Sequence, residues 1–465
     1  MLIIRAEVEG RAPLDVRLES GRIAALGRDL APTPGEERLD AAGGALLPGL
    51  HDHHLHLFAL AAAGRSVRCG PPGVRDRAAL AHALRAASAT AGWIRGVGYH
   101  EAVAGDLDRR ALDDLVPDCP VRLQHRSGAL WVVNSAAVAQ LGLDAGSDAH
   151  GVERGADGRA TGRLYRLDAW LHERLGPAEL PDLTEVGRQL ASFGVTGVTD
   201  ATHGNAKAEL AAFVAALERG ELRQRLVVMG SAELPAPEHA GASRGALKLV
   251  LAEHDLPGFD ELEHSIAQAH AQKRPVAVHC VTRAELVLAT AAFAAAGGLP
   301  GDRIEHASVA PPEVVARLAE LPLTVVTQPH FIRERGDAYA VEVEPADRPW
   351  LYRCRGFLEA GVPLGGGTDA PFGDPDPWRA MRAALERRTE EGLTLGPDEA
   401  LEPERALGLF TSPAEAPGAA PRRVGVGAAA DLCLLDAPWN VARRELSSRR
   451  VRATLRDGSL IWQRR

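Results

Sequence analysis

The sequence predicts an α/β protein: a (β/α)₈ TIM-type barrel, a small β-sandwich formed by both termini, and an inserted lid-like α/β segment. Three observations carry this. Apolar strand-like runs alternate with Ala/Leu/Glu/Arg-rich helical stretches through the middle of the chain, and eight such units imply a closed parallel sheet. Both ends read as short alternating strands separated by turns. The 465 residues suit a barrel of about 250–400 residues plus a smaller module.

Residues 1–47 open the chain with strand-like runs at 14–18 and 22–26, and Glu19-Ser20-Gly21 is the turn between them. The barrel is expected over residues 48–402. Its strands are expected at 50–56, 195–200, 226–229, 246–251, 276–279, 303–306, 323–327 and 362–366. A ninth strand-like run, 121–125, falls in an insertion of about residues 65–180 between the first two strands. Insertions of that kind extend loops at the barrel mouth and can act as lids. Residues 403–465 return to the sandwich through runs at 431–435 and 451–455, and Arg456-Asp457-Gly458-Ser459 is a hairpin signal.

Bulk composition excludes several classes. Hydrophobic residues at 46% and charged residues at 25% fit a globular enzyme. A net charge of −9 argues against a nucleic-acid-binding face. No basic run suits a membrane surface, and no apolar run reaches the length of a membrane span. Met1-Leu2-Ile3-Ile4-Arg5 passes straight into alternating sequence, so no signal peptide and a cytoplasmic location are expected. Cys69, Cys119, Cys280, Cys354 and Cys433 are odd in number, scattered and without a CxxC pair, which reads as reduced thiols. The expected partner is a small-molecule substrate, with no nucleic acid and no membrane; a homo-oligomer is left open. Of the 53 basic residues only Lys207, Lys248 and Lys273 are lysines, which singles each one out.

The strongest chemical signal is Pro48-Gly49-Leu50-His51-Asp52-His53-His54-Leu55-His56-Leu57. Side chains alternate along a strand, so His54 and His56 share a face and can share an ion. His51 reads as structural. His53 reads either as a support or substrate contact, or as a surface residue. His279 and His306 each close an apolar strand, where catalytic groups of such barrels sit. Asp369 follows Gly365-Gly366-Gly367-Thr368; the glycines allow a close backbone approach, and the carboxylate can bind metal and take a proton, or simply cap a helix. Lys248 lies inside an apolar run. It must reach solvent, shift its pKa or be modified, and carboxylation by CO₂ would make it a bridging anion. Imidazole ligands suit Zn²⁺, Mn²⁺ or Fe²⁺, and such an ion brings the pKa of water near neutrality.

These residues resemble the amidohydrolase superfamily, specifically its YtcJ-like branch, over nearly the whole chain. Pro48–His56 is similar to the family's PGxxDxHxH, and Trp93-Ile94-Arg95-Gly96-Val97-Gly98-Tyr99-His100-Glu101 to a WIxGxGWDE-like segment. Ile304-Glu305-His306, Gln328-Pro329-His330-Phe331, Gly367-Thr368-Asp369-Ala370-Pro371 and Ala430-Asp431-Leu432-Cys433-Leu434-Leu435 resemble later motifs. The resemblance implies that His54 and His56 bind the more buried metal, with Asp369 as ligand and general base. It implies that His279 and His306 bind a second metal, that Lys248 is the carboxylated bridge, and that His330 contacts substrate or transition state. Zn²⁺ is the expected ion, one or two per chain. The implied activity is hydrolysis of a non-peptide C–N bond (amide, cyclic amide or N-acyl) in a small molecule. The alternatives are a one-metal deaminase of a heterocycle and a non-catalytic binding protein on the same barrel.

The sequence departs from the pattern at several points. Ala252-Glu253-His254-Asp255 follows the lysine where the branch has a DG pair, so Glu253 is a candidate to alter the coordination. Thr282 stands where many deaminases place a proton-shuttling Glu. Arg283 reads as a substrate anchor or a surface salt bridge. Arg333, Arg335 and Arg353 read as contacts to an anionic substrate or as surface residues.

Overall fold

The computed structural model describes the chain except residues 72, 88, 90, 91, 146–148, 176–179 and 465. It divides into two compact units, Met1–Leu57 with Asp182–Arg465, and Phe58–Pro181.

In the first unit eight parallel strands follow one another in chain order. They are β1 (Leu50–Leu55), β2 (Val195–Asp200), β3 (Arg225–Gly230), β4 (Ala242–Val250), β5 (Val276–Cys280), β6 (Arg303–His306), β7 (Thr324–Thr327) and β8 (Leu364–Gly366). The sheet ends meet just past β1 and β8, where Asp369 N–H donates to His54 O at 2.7 Å and His56 N–H donates to Ala370 O at 2.8 Å. β2, Val-Thr-Gly-Val-Thr-Asp, is buried throughout, as a parallel strand covered on both faces must be. β1 is equally buried although four of its six residues are His or Asp. Burying so many polar groups is costly unless each has a partner, and this marks β1 as a functional strand. β4 starts at Ala242 and not at 246 as the hydrophobic run suggests. Its first residues are largely exposed, and pairing with β3, not burial, makes them strand.

The glycines after residue 364 are sterically required. A Cβ on Gly366 would lie 2.8 Å from the Phe410 ring, and one on Gly367 would lie 2.5 Å from His54 Cβ.

Both chain ends supply the sandwich. Leu2–Val8, Arg11–Glu19, Arg22–Gly27 and Arg38–Asp40 form one sheet; Leu46–Pro48, Leu432–Leu435, Val451–Arg456 and Ser459–Gln463 form the other. Ile3, Val16 and Ile23 share a core with Leu432, Leu434 and Leu455. The Asp457-Gly458 turn has both residues left-handed (φ 49° and 75°), as a tight hairpin requires.

The second unit has its own six-stranded sheet, and the predicted ninth strand, Val121–His125, is part of it. It pairs parallel with Ile94–Tyr99 and antiparallel with Leu130–Val133. Alternation sends Val132 into one apolar cluster and Trp131 and Val133 into another, so both sheet faces are covered. Among the described residues no helix is long and apolar enough to cross a membrane, and all five cysteines are free thiols.

Candidate metal centre

Alternation along β1 splits its histidines. His51 and His53 are turned outward and buried: His51 Nε2 lies 2.9 Å from Thr199 Oγ1, and His53 Nε2 lies 3.0 Å from Ser412 Oγ. Asp52, His54 and, just past the strand end, His56 share the other face. The Nε2 atoms of His54 and His56 lie 3.5 and 3.2 Å from Asp369 Oδ1, and the three residues form one of two potential cation-binding groups among the described residues. The His306 ring lies 4.8 Å from that of His54 and 4.4 Å from that of His279.

Strand geometry alone would not bring His306 there. Glu305 and His306 are consecutive, so a regular strand would point them to opposite faces. Glu305 nevertheless reaches His54, and His306 packs against the same ring. His306 and Ala307 adopt left-handed backbone (φ 69° and 47°), and so does Asp369 (φ 51°). Such residues cost about 1–3 kcal/mol each and persist where their surroundings over-determine them.

His54, His56 and His306 are each oriented from behind. Glu305 Oε2 lies 2.5 Å from His54 Nδ1, and Arg303 holds both Glu305 oxygens at 2.7 and 3.1 Å. Thr202 Oγ1 lies 2.8 Å from His56 Nδ1. Gln328 Oε1 accepts from His306 Nδ1 at 2.8 Å. Asp52 accepts from the His54 and Thr368 backbone N–H groups and from the Thr368 hydroxyl, at 3.1, 3.0 and 2.5 Å. Burial pushes the Asp52 carboxyl up to about 7 against those three donors. None of Glu305, Thr202, Gln328 and Asp52 was given a role from sequence. Asp52 alone had a local signal, since it shares the alternating face of His54.

A metal fits these residues on stereochemical grounds. Burial pushes the His54 imidazole down to about 3, so it is neutral. A carboxylate only accepts, so Glu305 fixes the His54 proton on Nδ1 and leaves Nε2 as a bare lone pair. That lone pair faces the Asp369 carboxylate. Two acceptors facing each other in a buried site repel unless a cation lies between them. Bonds of about 2.0–2.2 Å at tetrahedral angles put neighbouring ligand atoms about 3.3 Å apart. The two Nε2–Oδ1 separations, 3.5 and 3.2 Å, bracket that value.

Lys248 is buried on β4, and its Nζ has no hydrogen-bond partner among the described residues. Burial lowers its amine to about 8, while the Glu305 charge opposes that. It therefore lies within electrostatic reach of the cluster, and it is not the solvent-facing amine that a strand-end lysine would be.

The other group of potential ligands is His100, Glu101 and His125, in the second unit. Glu101 Oε2 is 3.4 Å from His100 Nε2 and 3.2 Å from His125 Nε2. Here the far nitrogens are occupied differently. The Ala102 N–H donates to His100 Nδ1 and the Ser127 N–H donates to His125 Nδ1, both at 3.2 Å. With Nδ1 of each ring accepting from backbone, Nε2 is the nitrogen that donates to Glu101.

The remaining predicted residues are spread out. Glu253 is exposed and belongs to neither of the ligand groups found among the described residues. Thr282 caps the helix Arg283–Ala296 by accepting from Glu285 N–H. Arg283 makes a surface ion pair with Asp347 at 3.2 Å, Arg333 is exposed, and Arg353 pairs with Glu399 at 2.6 Å. The Arg335 guanidinium sits 3.9 Å from the Phe331 ring centre and donates to Phe372 O. His330 is fully buried, with Nε2 at 3.0 Å from Thr368 O.

Residues 37–461 match the family model described as Amidohydrolase family. The N-substituted formamide deformylase of Arthrobacter pascens is 26% identical over 97% of this chain and 95% of its own. The putative amidohydrolase YtcJ of Bacillus subtilis (strain 168) is 23% identical over 98% and 97%. The crystal structure of an uncharacterized metal-dependent hydrolase from Pyrococcus horikoshii OT3 superposes with a TM-score of 0.73 at 20% identity, covering 94% of this chain and 97% of that one; at that identity the likeness speaks for the fold alone.

Proposed function

The chain belongs to the amidohydrolase family, and from that premise we propose that it hydrolyses a non-peptide C–N bond of a small N-acyl compound, with Asp369 as general base. His54, His56 and Asp369 hold one divalent ion, taken as zinc. His279 and His306 hold a second where two are bound. Lys248, as its CO₂ adduct, would supply a further anionic ligand; in making that adduct an N–C bond forms and an N–H proton leaves to solvent. The ion supplies Lewis acidity that brings the pKa of water toward neutrality and polarises the scissile carbonyl.

The protein's own residues manage position and protons. Glu305, backed by Arg303, keeps His54 in the tautomer that can ligate. Thr202 and Gln328 restrain His56 and His306 in the same way. Asp369 accepts the proton of the attacking water as the O–C bond forms. It returns that proton to the nitrogen as the C–N bond breaks, so the amine departs neutral. The observation that carries this reading is the bare His54 Nε2 facing the Asp369 carboxylate at 3.5 Å.

N-substituted formamides are the first substrate class to try, on the strength of the relative named for them. The test is formate and amine release from a panel of N-alkyl and N-aryl formamides, run beside larger N-acyl amines and cyclic amides. Metal-dependent release of acid plus amine is the expected result. Ammonia release from heterocyclic amines without acyl cleavage would overturn it in favour of a deaminase.

A further inference from the structure

We infer that His330 is a positioning residue for Asp369, acting through the peptide between Thr368 and Asp369 and not by touching substrate. The inference rests on the assignment of Asp369 to the metal and the proton. A carbonyl oxygen only accepts, so the 3.0 Å contact between His330 Nε2 and Thr368 O is an N–H donation. The ring has no exposed surface through which a substrate could reach it.

The same Thr368 is held on every other polar group, because Asp52 takes both its N–H and its hydroxyl. The next N–H, that of Asp369, is fixed on His54 O at 2.7 Å. Between these anchors Asp369 is left-handed (φ 51°), a conformation unusual outside glycine, and from it Oδ1 reaches both His54 and His56. The loop then folds over the His330 contact. Phe372 N–H donates to Asp369 O, and a Cβ on Gly373 would lie 2.3 Å from His330 Nε2 and 2.4 Å from Thr368 O. The Thr368–Asp369 peptide is planar, so His330 and His54 O hold its two ends; without the His330 donation its plane can tilt about the remaining His54 contact and carry the Asp369 carboxylate away from the imidazoles.

The experiment compares His330→Phe, which keeps the ring and loses the N–H, with His330→Gln, whose amide can still donate, and with Gly373→Ala, which crowds the contact from the other side. Zn²⁺ affinity is measured on apoprotein by competition with a chromophoric chelator, and kcat and KM are measured separately. The expected result is a loss of about 10–100-fold in Zn²⁺ affinity for His330→Phe and Gly373→Ala, as for other groups that orient ligands. A fall in kcat should accompany it, with KM little changed, and His330→Gln should recover most of the loss. A raised KM at unchanged Zn²⁺ affinity makes His330 a substrate contact and overturns the inference, as does no change in either quantity. If His330→Phe fails to fold by circular dichroism, the other two variants decide. Asp369→Asn separates the two levels: full turnover in that variant sinks the assignment of Asp369 itself, whereas an inactive Asp369→Asn beside an unaffected His330→Phe sinks only the role given to His330.

Discussion

The barrel and the inserted unit each gather two imidazoles and one carboxylate, with potential ligand atoms within 4.8 Å of one another. By residue type and distance the two clusters are nearly the same. They differ at the nitrogen that faces away. In the barrel, Glu305 draws the His54 proton to Nδ1 and leaves a lone pair aimed at Asp369. In the insertion, backbone N–H groups occupy Nδ1 of His100 and His125, and two N–H donors converge on Glu101. One arrangement sets an acceptor against the carboxylate, which suits a cation; the other sets donors against it. What lies behind a histidine decides whether it is a ligand or a clamp.

The comparison is most exposed at Asp369. Asp369→Asn should keep the fold and lose turnover by about 10²–10⁴-fold, read from steady-state rates beside circular dichroism. Lys248→Met should lower the metal content of protein purified without chelator, from about two equivalents toward one or none, by elemental analysis; unchanged content removes Lys248 from the site. Glu305→Gln should weaken Zn²⁺ binding about 10–100-fold in a chelator competition. It also strands the buried Arg303 charge, so urea unfolding of the apoprotein is needed to separate the stability loss. His125→Ala should leave metal content untouched, and loss of an equivalent there would erase the distinction between the two clusters. The smallest effect concerns Glu101. Burial would raise its carboxyl, but its own helix N–H, His125 and His100 outweigh that and lower it. A depressed carboxyl contributes stability above its unfolded pKa and loses it as pH falls through the folded value. Glu101→Gln should therefore slightly flatten the acid side of a stability–pH curve.

Much of the barrel was legible because period and chemistry coincide. The apolar runs at 195–200 and 303–306 became strands with those bounds, and alternation alone placed His54 and His56 together. The supports were not legible, because they cross the sheet. Glu305 meets His54 across 251 positions of sequence, and no local pattern announces it. His306 was read correctly as a strand-end histidine, but its approach to His54 depends on a left-handed turn that alternation cannot foresee. The His100–Glu101–His125 cluster stayed hidden because it exists only through the pairing of Tyr99 with His125. His330 illustrates a different limit: motif likeness suggested a substrate contact, while only coordinates reveal a ring with no open face.

The seam where the sheet closes, Asp369 to His54 and His56 to Ala370, also sets a timetable. The earliest and latest contributors to the centre lie more than 300 positions apart in the chain. A ribosome releases the histidine pair long before the aspartate, so a half-made chain carries His54 and His56 without the carboxylate that faces them. A product cut short of residue 369 would keep that gap for good.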